Sequence, residues 1–380
     1  MLPTVQQRWL EVSDLVGNPS SLHDSGRRVR RIVEEARESI AADLYTRPSA
    51  VIFTSGGTEA DNLAIKGLFW AGEAEGKTGV ICSSVEHHAV LDPVSWLAEH
   101  EAAQVLWAPV DDFGRVELAP IERALAAGGI ALCTVMWANN EVGTVQPVRE
   151  LSEMCKAFGV PFHTDAVQVL GQLHMDLSEL GATAVTISGH KVGGPFGVGA
   201  LILDPDVKAT PIMHGGGHER EIRSGTLDAA GISAFAVAVH ESVMNQANLA
   251  ARVRVLRNEL VTRVLDAVPS AHLNGDEDLQ GNGRLPANAH FTFDGCEGDA
   301  LLLLLDAAGV DCSTGSACTA GIPEPSHVLL AMGAQAQASR GSLRFSLGRE
   351  TKTSDIDRLL AALPGAVERA TRAGSVRSRA

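Results

Sequence analysis

Cys318 sits in the run Cys312-Ser313-Thr314-Gly315-Ser316-Ala317-Cys318-Thr319-Ala320-Gly321, with small residues on both sides of it. Such neighbours give a thiol almost nothing to pack against. The segment therefore reads as a solvent-reached loop whose cysteine is available for chemistry. A second reactive group is the lysine of Ser188-Gly189-His190-Lys191. Alone, a lysine beside glycines would be a surface charge; its company argues otherwise. That company is Thr54-Ser55-Gly56-Gly57-Thr58-Glu59, Glu86-His87-His88, Asn139-Asn140-Glu141 and Asp165-Ala166-Val167-Gln168.

The elements that must position these groups follow from the hydrophobic pattern. Short β-branched runs at Ala50–Thr54, Gly79–Ser83, Ile130–Met136, Pro161–Thr164, Ala184–Ser188 and Gly199–Leu203 alternate with helical segments such as Glu59–Trp70 and Val148–Phe158. That alternation predicts an α/β fold with a mostly parallel sheet covered on both faces. Each polar cluster comes just after the C-terminal end of a strand, the edge where open α/β sheets bind ligands. A helix-rich stretch, Ile232–Val268, leads into a region that mixes strands (Asn288–Phe293, Ser342–Leu347) with helices (Asp299–Ala308, Asp355–Leu363). The expected organisation is a large domain over residues 1–240, a small α+β domain over 241–368 and a frayed tail over 369–380.

The glycine-rich turn enters a helix that Thr58 is expected to cap, with Asp61 in a capping-box position. Free N–H groups and the positive dipole end at such a start make an anion cradle, to which Ser188 and His190 would add donors. The segment Gly193-Gly194-Pro195-Phe196-Gly197-Val198-Gly199 matches a dinucleotide fingerprint by spacing alone. It precedes a strand instead of opening a helix, so that reading is rejected. A lysine, an acid at Asp165 and an anion cradle on one edge are what pyridoxal 5'-phosphate requires. The lysine bonds the cofactor, the carboxylate keeps the pyridine nitrogen protonated, and the helix start takes the phosphate. His87 or His88 can supply a ring face over the cofactor.

The stretches TSGGTEADNLAIKG, VEHHAVLD, MWANNEVGTVQPV, HTDAVQVLGQ, TISGHKVGGPFGVGAL, MHGGGHEREIRSGT, STGSACTAGIPEPSHVLLAMG and SLRFSLG resemble, in order, the cysteine desulfurases. They resemble more narrowly the NifS/IscS-like group of this fold-type-I, class-V aminotransferase family, from about Gly17 to Leu363. The resemblance implies a seven-stranded type of sheet and a pyridoxal-phosphate enzyme that turns L-cysteine into L-alanine. Lys191 would bind the cofactor, Asp165 its pyridine nitrogen and Gln168 its phenolic oxygen. His87 would stack on the ring and move protons. Gly57, Thr58, Ser188 and His190 would hold the phosphate, with Thr226 reaching in from the other subunit of a homodimer. Asn140, which would also contact the cofactor, and Arg344 would receive the substrate carboxylate, and Cys318 would take the sulfur as a persulfide. A sulfur-acceptor protein is implied, either an iron–sulfur scaffold or a tRNA-thiolation enzyme.

Composition narrows the alternatives. With 31 basic and 46 acidic residues the net charge is −15, which argues against nucleic acid or an anionic membrane as direct partner. No apolar run has the length of a membrane span, and the start MLPTVQQRWLEV lacks a signal peptide's pattern, so the cytosol is the expected location. Six cysteines without paired spacing fit reduced thiols, with Cys82 and Cys133 buried in apolar strands. His214 and His218, separated by three glycines, are not expected to hold a metal. Family members begin with a strand resembling Tyr-Leu-Asp-x-Ala-Ala-Thr-Thr-Pro that lines the substrate pocket. Here Met1-Leu2-Pro3-Thr4 aligns directly after it, and the expectation is a start codon assigned internally. Competing readings are a selenocysteine lyase, another fold-type-I aminotransferase, or a non-catalytic dimer partner lacking that strand.

Overall fold

The computed structural model describes residues 1–314 and 325–377. By internal contacts the chain forms two units: residues 1–108, 117–137 and 147–246, and residues 109–116, 138–146 and 247–380.

The first unit opens with helices α1 (Pro3–Ser13) and α2 (Asp24–Asp43). It then alternates: β1 (Val51–Thr54), α3 (Gly57–Glu73), β2 (Gly79–Ser83), α4 (His88–His100), β3 (Gln104–Ala108), α5 (Leu118–Ala127), β4 (Ile130–Thr134) and α6 (Val148–Ala157). After β5 (Phe162–Asp165), the short α7 (Leu177–Leu180), β6 (Ala184–Ser188) and β7 (Gly199–Leu203), the long α8 (Ala229–Ala267) carries the chain into the second unit. The strands form one seven-stranded sheet in the order β1-β7-β6-β5-β4-β2-β3, parallel except for β7, which is antiparallel to both β1 and β6. Strands β1, β2, β5, β6 and β7 are buried along their whole length, as strands covered on both faces must be. The edge strand β3 is half exposed, with Trp107 reaching solvent. One face is covered by α3, whose Ala60, Leu63, Ala64, Ile65, Leu68 and Phe69 pack into a core with Ile52, Leu132 and Leu201. Helix α6 buries Val148, Leu151, Ser152 and Cys155, an i, i+3, i+4, i+7 stripe.

In the second unit β8 (Ala271–Leu273), β9 (Asn288–Phe293) and β10 (Ser342–Ser346) form an antiparallel sheet in the order β10-β9-β8. Helices α9 (Gly298–Asp306), α10 (His327–Ala331), α11 (Ala336–Ser339) and α12 (Thr353–Arg377) accompany it. Phe291, Phe293, Phe345, Leu301, Leu305, Leu359 and Leu363 make a core of its own. Among the described residues no helix is long and apolar enough to cross a membrane.

Candidate active site

The C-terminal edge of the first unit's sheet gathers most of the residues singled out by the sequence. β1 ends at Thr54, and the chain turns through Gly56 at φ 149° and ψ −177°, a conformation open to glycine alone. Helix α3 starts directly after it. Its N-cap is Gly56 with no side-chain hydrogen bond, so the expected Thr58 cap is not formed. Asp61, expected in a capping box, instead points into the interior at 1% exposure. The residue that reaches back is Glu59, whose Oε2 accepts the Ser55 N–H at 2.6 Å. Burial disfavours the Glu59 charge, but a two-pronged contact from Arg223 (2.7 and 3.2 Å) and the Ser55 donors hold its carboxyl below its ordinary value. The early N–H groups of α3 thus remain available to an anion.

Close packing of backbone shapes this cradle. A Cβ on Gly57 would lie 3.0 Å from Val167 Cγ2 and 3.7 Å from Ser188 Cβ, so Ser188 borders the helix start. A Cβ on Gly199 would lie 2.8 Å from the Gly56 carbonyl carbon. The glycine run ending there leads into β7, in line with the rejection of a dinucleotide fingerprint. Ser188 Oγ and His190 Nδ1 are 2.7 Å apart, at the end of β6 and in the turn after it. Lys191 follows, exposed.

Asp165 ends β5, and its Oδ1 accepts the Val167 N–H at 2.8 Å. Burial lifts its carboxyl to about 6, against the pull of that N–H and of the Lys191 charge. Gln168 is half-buried in the turn that follows. His87 is the N-cap of α4: its Nδ1 accepts the Ala89 N–H at 3.1 Å, which puts the proton of the neutral ring on Nε2. The imidazole is exposed at the same sheet edge. His88, the other candidate, faces Asp92 at 3.0 Å. Thr226 is exposed three residues beyond Arg223. His218 bridges Ser20 Oγ at 2.7 Å and the Gly225 N–H at 3.3 Å, which ties the glycine loop to α2's approach segment.

Sequence reasoning passed over a buried polar cluster beneath Asp165. His163, two residues earlier on β5 and on the same face, is fully buried. Its Nδ1 lies 2.9 Å from Thr134 Oγ1 and its Nε2 3.1 Å from Thr186 Oγ1 and 3.5 Å from Asp61 Oδ1. Burial drives this imidazole down to about 3, so it is neutral. Asp61 and Glu86 are both pushed well above the carboxylate range, chiefly by burial and further by the Asp165 charge. Glu86 Oε1 also accepts the Met136 N–H at 2.6 Å. Alternation along β5 and β6 was the available signal, since His163 shares a face with Asp165 and Thr186 with Ser188.

In the second unit the structure brings Asn140 and Arg344 together. Arg344, on β10, donates from Nη1 to the Asn140 carbonyl at 2.7 Å, and its buried Nε has no hydrogen-bond partner among the described residues. An orphaned guanidinium donor suits a carboxylate. Cys318 lies outside the described residues. Cys82, Cys133 and Cys155 are buried, and burial raises the Cys82 thiol well above its ordinary value. Among the described residues no group of His, Cys, Asp and Glu is placed to hold a metal ion.

Pyridoxal phosphate fits these residues. Asp165 offers a buried carboxylate of the kind a pyridine nitrogen would need, it feels the charge of Lys191, and the close backbone at Gly57 and Gly199 leaves a cradle that would suit a phosphate. Comparison with known proteins agrees. Residues 2–359 match the family described as aminotransferase class-V. An IscS-like cysteine desulfurase of Mycobacterium tuberculosis is 53% identical over 376 residues, 98% of this chain and 95% of that protein. A solved NifS-like protein superposes with a TM-score of 0.89 at 31% identity, covering 97% of this chain and 96% of the other. A structure described as SspA in complex with cysteine gives a TM-score of 0.78 at 31% identity over 91% of this chain and 95% of the other. The chain belongs to the class-V aminotransferase family, among its IscS/NifS-like cysteine desulfurases, and is a pyridoxal-phosphate-dependent enzyme.

Proposed function

We propose that this chain, as a homodimer, converts L-cysteine to L-alanine and passes the sulfur from Cys318 to an acceptor protein for iron–sulfur cluster assembly or tRNA thiolation. The observation that carries the reading is Asp165: a buried carboxylate held at the ligand-binding sheet edge within the electrostatic reach of Lys191. Pyridoxal phosphate, when bound, supplies an electron sink conjugated to the substrate amine. Lys191, Asp165, Gln168 and His87 bind and orient it, and the α3 start with Gly57, Thr58, Ser188 and His190 takes its phosphate. Thr226 of the partner subunit completes that cradle. Arg344 and Asn140 receive the substrate carboxylate. Lys191 Nζ then takes the proton from Cα, and His87 Nε2 serves the further proton transfers. Cys318 Sγ forms a bond to the substrate sulfur as the Cβ–S bond breaks. The bonding pair stays with the carbon fragment and is protonated. Cysteine and one thiol thereby become alanine and one persulfide, with no outside oxidant. A cytosolic setting, where thiols stay reduced, suits this chemistry.

The test is cysteine-dependent alanine formation by the cofactor-loaded protein, with peptide mass analysis of Cys318. One sulfur added to the Cys318 peptide, absent in Cys318→Ala, is expected. Undiminished sulfur release by Cys318→Ala would favour a lyase reaction of the selenocysteine-lyase type, which needs no Cys318 nucleophile, and loss of cysteine without sulfur release would favour an aminotransferase. Lys191→Ala should lose the yellow colour of the bound cofactor, and retention of that colour would refute its role.

A further inference from the structure

Glu59 and Arg223 meet at the start of α3 in a way that the helix alone does not call for. An acid in the first turn is already favoured by the positive end of the helix dipole, whereas a cation there is opposed by it. Yet Arg223 Nε donates to Glu59 Oε1 at 2.7 Å and its Nη2 to Oε2 at 3.2 Å, with both side chains only 15% exposed. Glu59 Oε2 also accepts the Ser55 N–H, so its charge sits within the turn whose first helical N–H groups form the anion cradle. The side-chain donors assigned to that cradle bring no charge. Ser188 offers a hydroxyl, and burial and the Lys191 charge lower His190 below its ordinary value, so its ring is neutral. A phosphate held here faces the Glu59 carboxylate at close range, and Arg223 is the cation that grips that carboxylate.

The backbone that carries Arg223 is fixed in advance. Glu219, Arg220 and Glu221 run consecutively through the left-handed region, at φ 48°, 60° and 62°. Residues with a Cβ take that conformation at a cost, and it persists only where the surroundings over-determine it. Glu219 supplies the anchor. Its Oε1 accepts Arg37 Nη2 at 2.7 Å, and its Oε2 accepts both Arg37 Nη1 at 2.9 Å and the Phe53 N–H at 2.7 Å. Arg37 Nη1 in turn donates to the Val51 carbonyl at 2.5 Å. The ion pair thus occupies outward-facing backbone groups of β1, the edge strand that leads into α3. Arg220 donates to the Ser49 and Pro205 carbonyls, each at 3.1 Å, and Ile222 packs into the core under α3. Arg223 follows directly, so little freedom remains to be lost when it grips Glu59.

We propose that Arg223 is a positioning residue that offsets the Glu59 charge at the α3 start and so sets the preference of this cradle for a phosphorylated over an unphosphorylated pyridoxal. This deepens the proposed function and rests on its reading of the α3 start as the phosphate site. Arg223 acts through Glu59, so the two side chains have opposite effects on a bound dianion.

The test is titration of the full-length apoprotein with pyridoxal phosphate and, separately, with pyridoxal, read from the yellow absorbance of the bound ligand. The pH is kept well above the second phosphate ionisation, near about 6. Arg223→Met should weaken pyridoxal phosphate about five- to thirtyfold and pyridoxal less than about twofold, as expected for one charge at a partly buried helix start. Glu59→Gln keeps the shape and leaves the guanidinium charge uncovered; it should bind pyridoxal phosphate more tightly than the wild type, with pyridoxal unchanged. The double variant should return close to the wild type for both ligands, because the two charges leave together. A pair with only a structural task gives another pattern: each single variant weakens both ligands. That pattern overturns the proposal, as does an undiminished preference for phosphate in Arg223→Met. Should Arg223→Met fail to fold, the sign of Glu59→Gln decides alone, tighter binding supporting the proposal and weaker binding overturning it. Ser188→Ala removes a cradle donor but no charge. If the preference survives that change undiminished, the cradle reading fails and the proposal with it; if Ser188→Ala lowers the preference while the charge pattern is absent, the proposal alone fails.

Discussion

A carboxylate can hold a protonated pyridine nitrogen only while it is charged, and in the role proposed for it Asp165 would meet that condition narrowly. Burial lifts it to about 6, while the Val167 N–H and the Lys191 charge pull it down. Its neighbours make room for that one charge. His163 is neutral, with its imidazole driven to about 3, and Asp61 and Glu86 are pushed well above the carboxylate range. Cofactor capture by the apoprotein should therefore weaken as the pH falls below about 6, because Asp165 takes up a proton there. Its contribution approaches tenfold per pH unit, the limit for one proton competing with one ligand. Asp165→Asn should bind weakly and lack this part of the slope. Titration of the apoprotein with pyridoxal phosphate between pH 5 and 7.5 checks it; equal slopes in the two proteins would refute the assignment.

At the scale of elements, the site depends on how closely β7 and the start of α3 approach. A Cβ on Gly199 would meet backbone on two sides, the Gly56 carbonyl carbon and the Ile187 oxygen, both at 2.8 Å. Backbone cannot swing away as a side chain can, so Gly199→Ala should displace the α3 start. The expected cost is about 1–3 kcal/mol of stability, typical of overpacking, together with weaker cofactor binding. Gly365→Ala in α12 meets nothing within 4 Å and should be neutral or stabilising by roughly 0.5–1 kcal/mol. Thermal melting and cofactor titration of both variants check the contrast. The sheet was largely legible in the sequence because its buried strands are short β-branched runs bounded by polar turns. β3 escaped notice because Gln104 and Trp107 at the exposed edge break the apolar pattern, and β8 because it is three residues long. Asp165, Ser188 and Lys191 were legible because each closes or follows a strand. Asp61 was misread as a capping residue, since spacing alone does not tell a helix start from a buried face one turn later. His163 went unnoticed inside an apolar strand, where only its alternation with Asp165 marked it.

Taken whole, the molecule has two separately packed units, each with one fully buried histidine that folding keeps neutral. His163 lies in the first, and His290, on β9 of the second, is also driven to about 3. For His290 the cause is burial first, then the charges of Arg344 and Arg284, and its Nδ1 rests 3.0 Å from Asn274 Nδ2. Between pH 6.5 and about 3 the unfolded chain binds a proton at this position and the folded one does not. Stability therefore rises with pH through that window; the contribution is complete above 6.5 and is lost as the pH falls towards 3. The buried carboxyls of the first unit act with the opposite sign, because their folded values are raised, so the raw pH profile mixes both. Substitution separates them. His290→Gln removes one titrating group and should flatten the acid limb by up to about 1.4 kcal/mol per pH unit. Urea unfolding of the apoprotein at several pH values between 4.5 and 7 provides the measurement. If the wild type and His290→Gln lose stability in parallel on acidification, His290 is not a neutral buried group and the charge assignment beneath Arg344 fails with it.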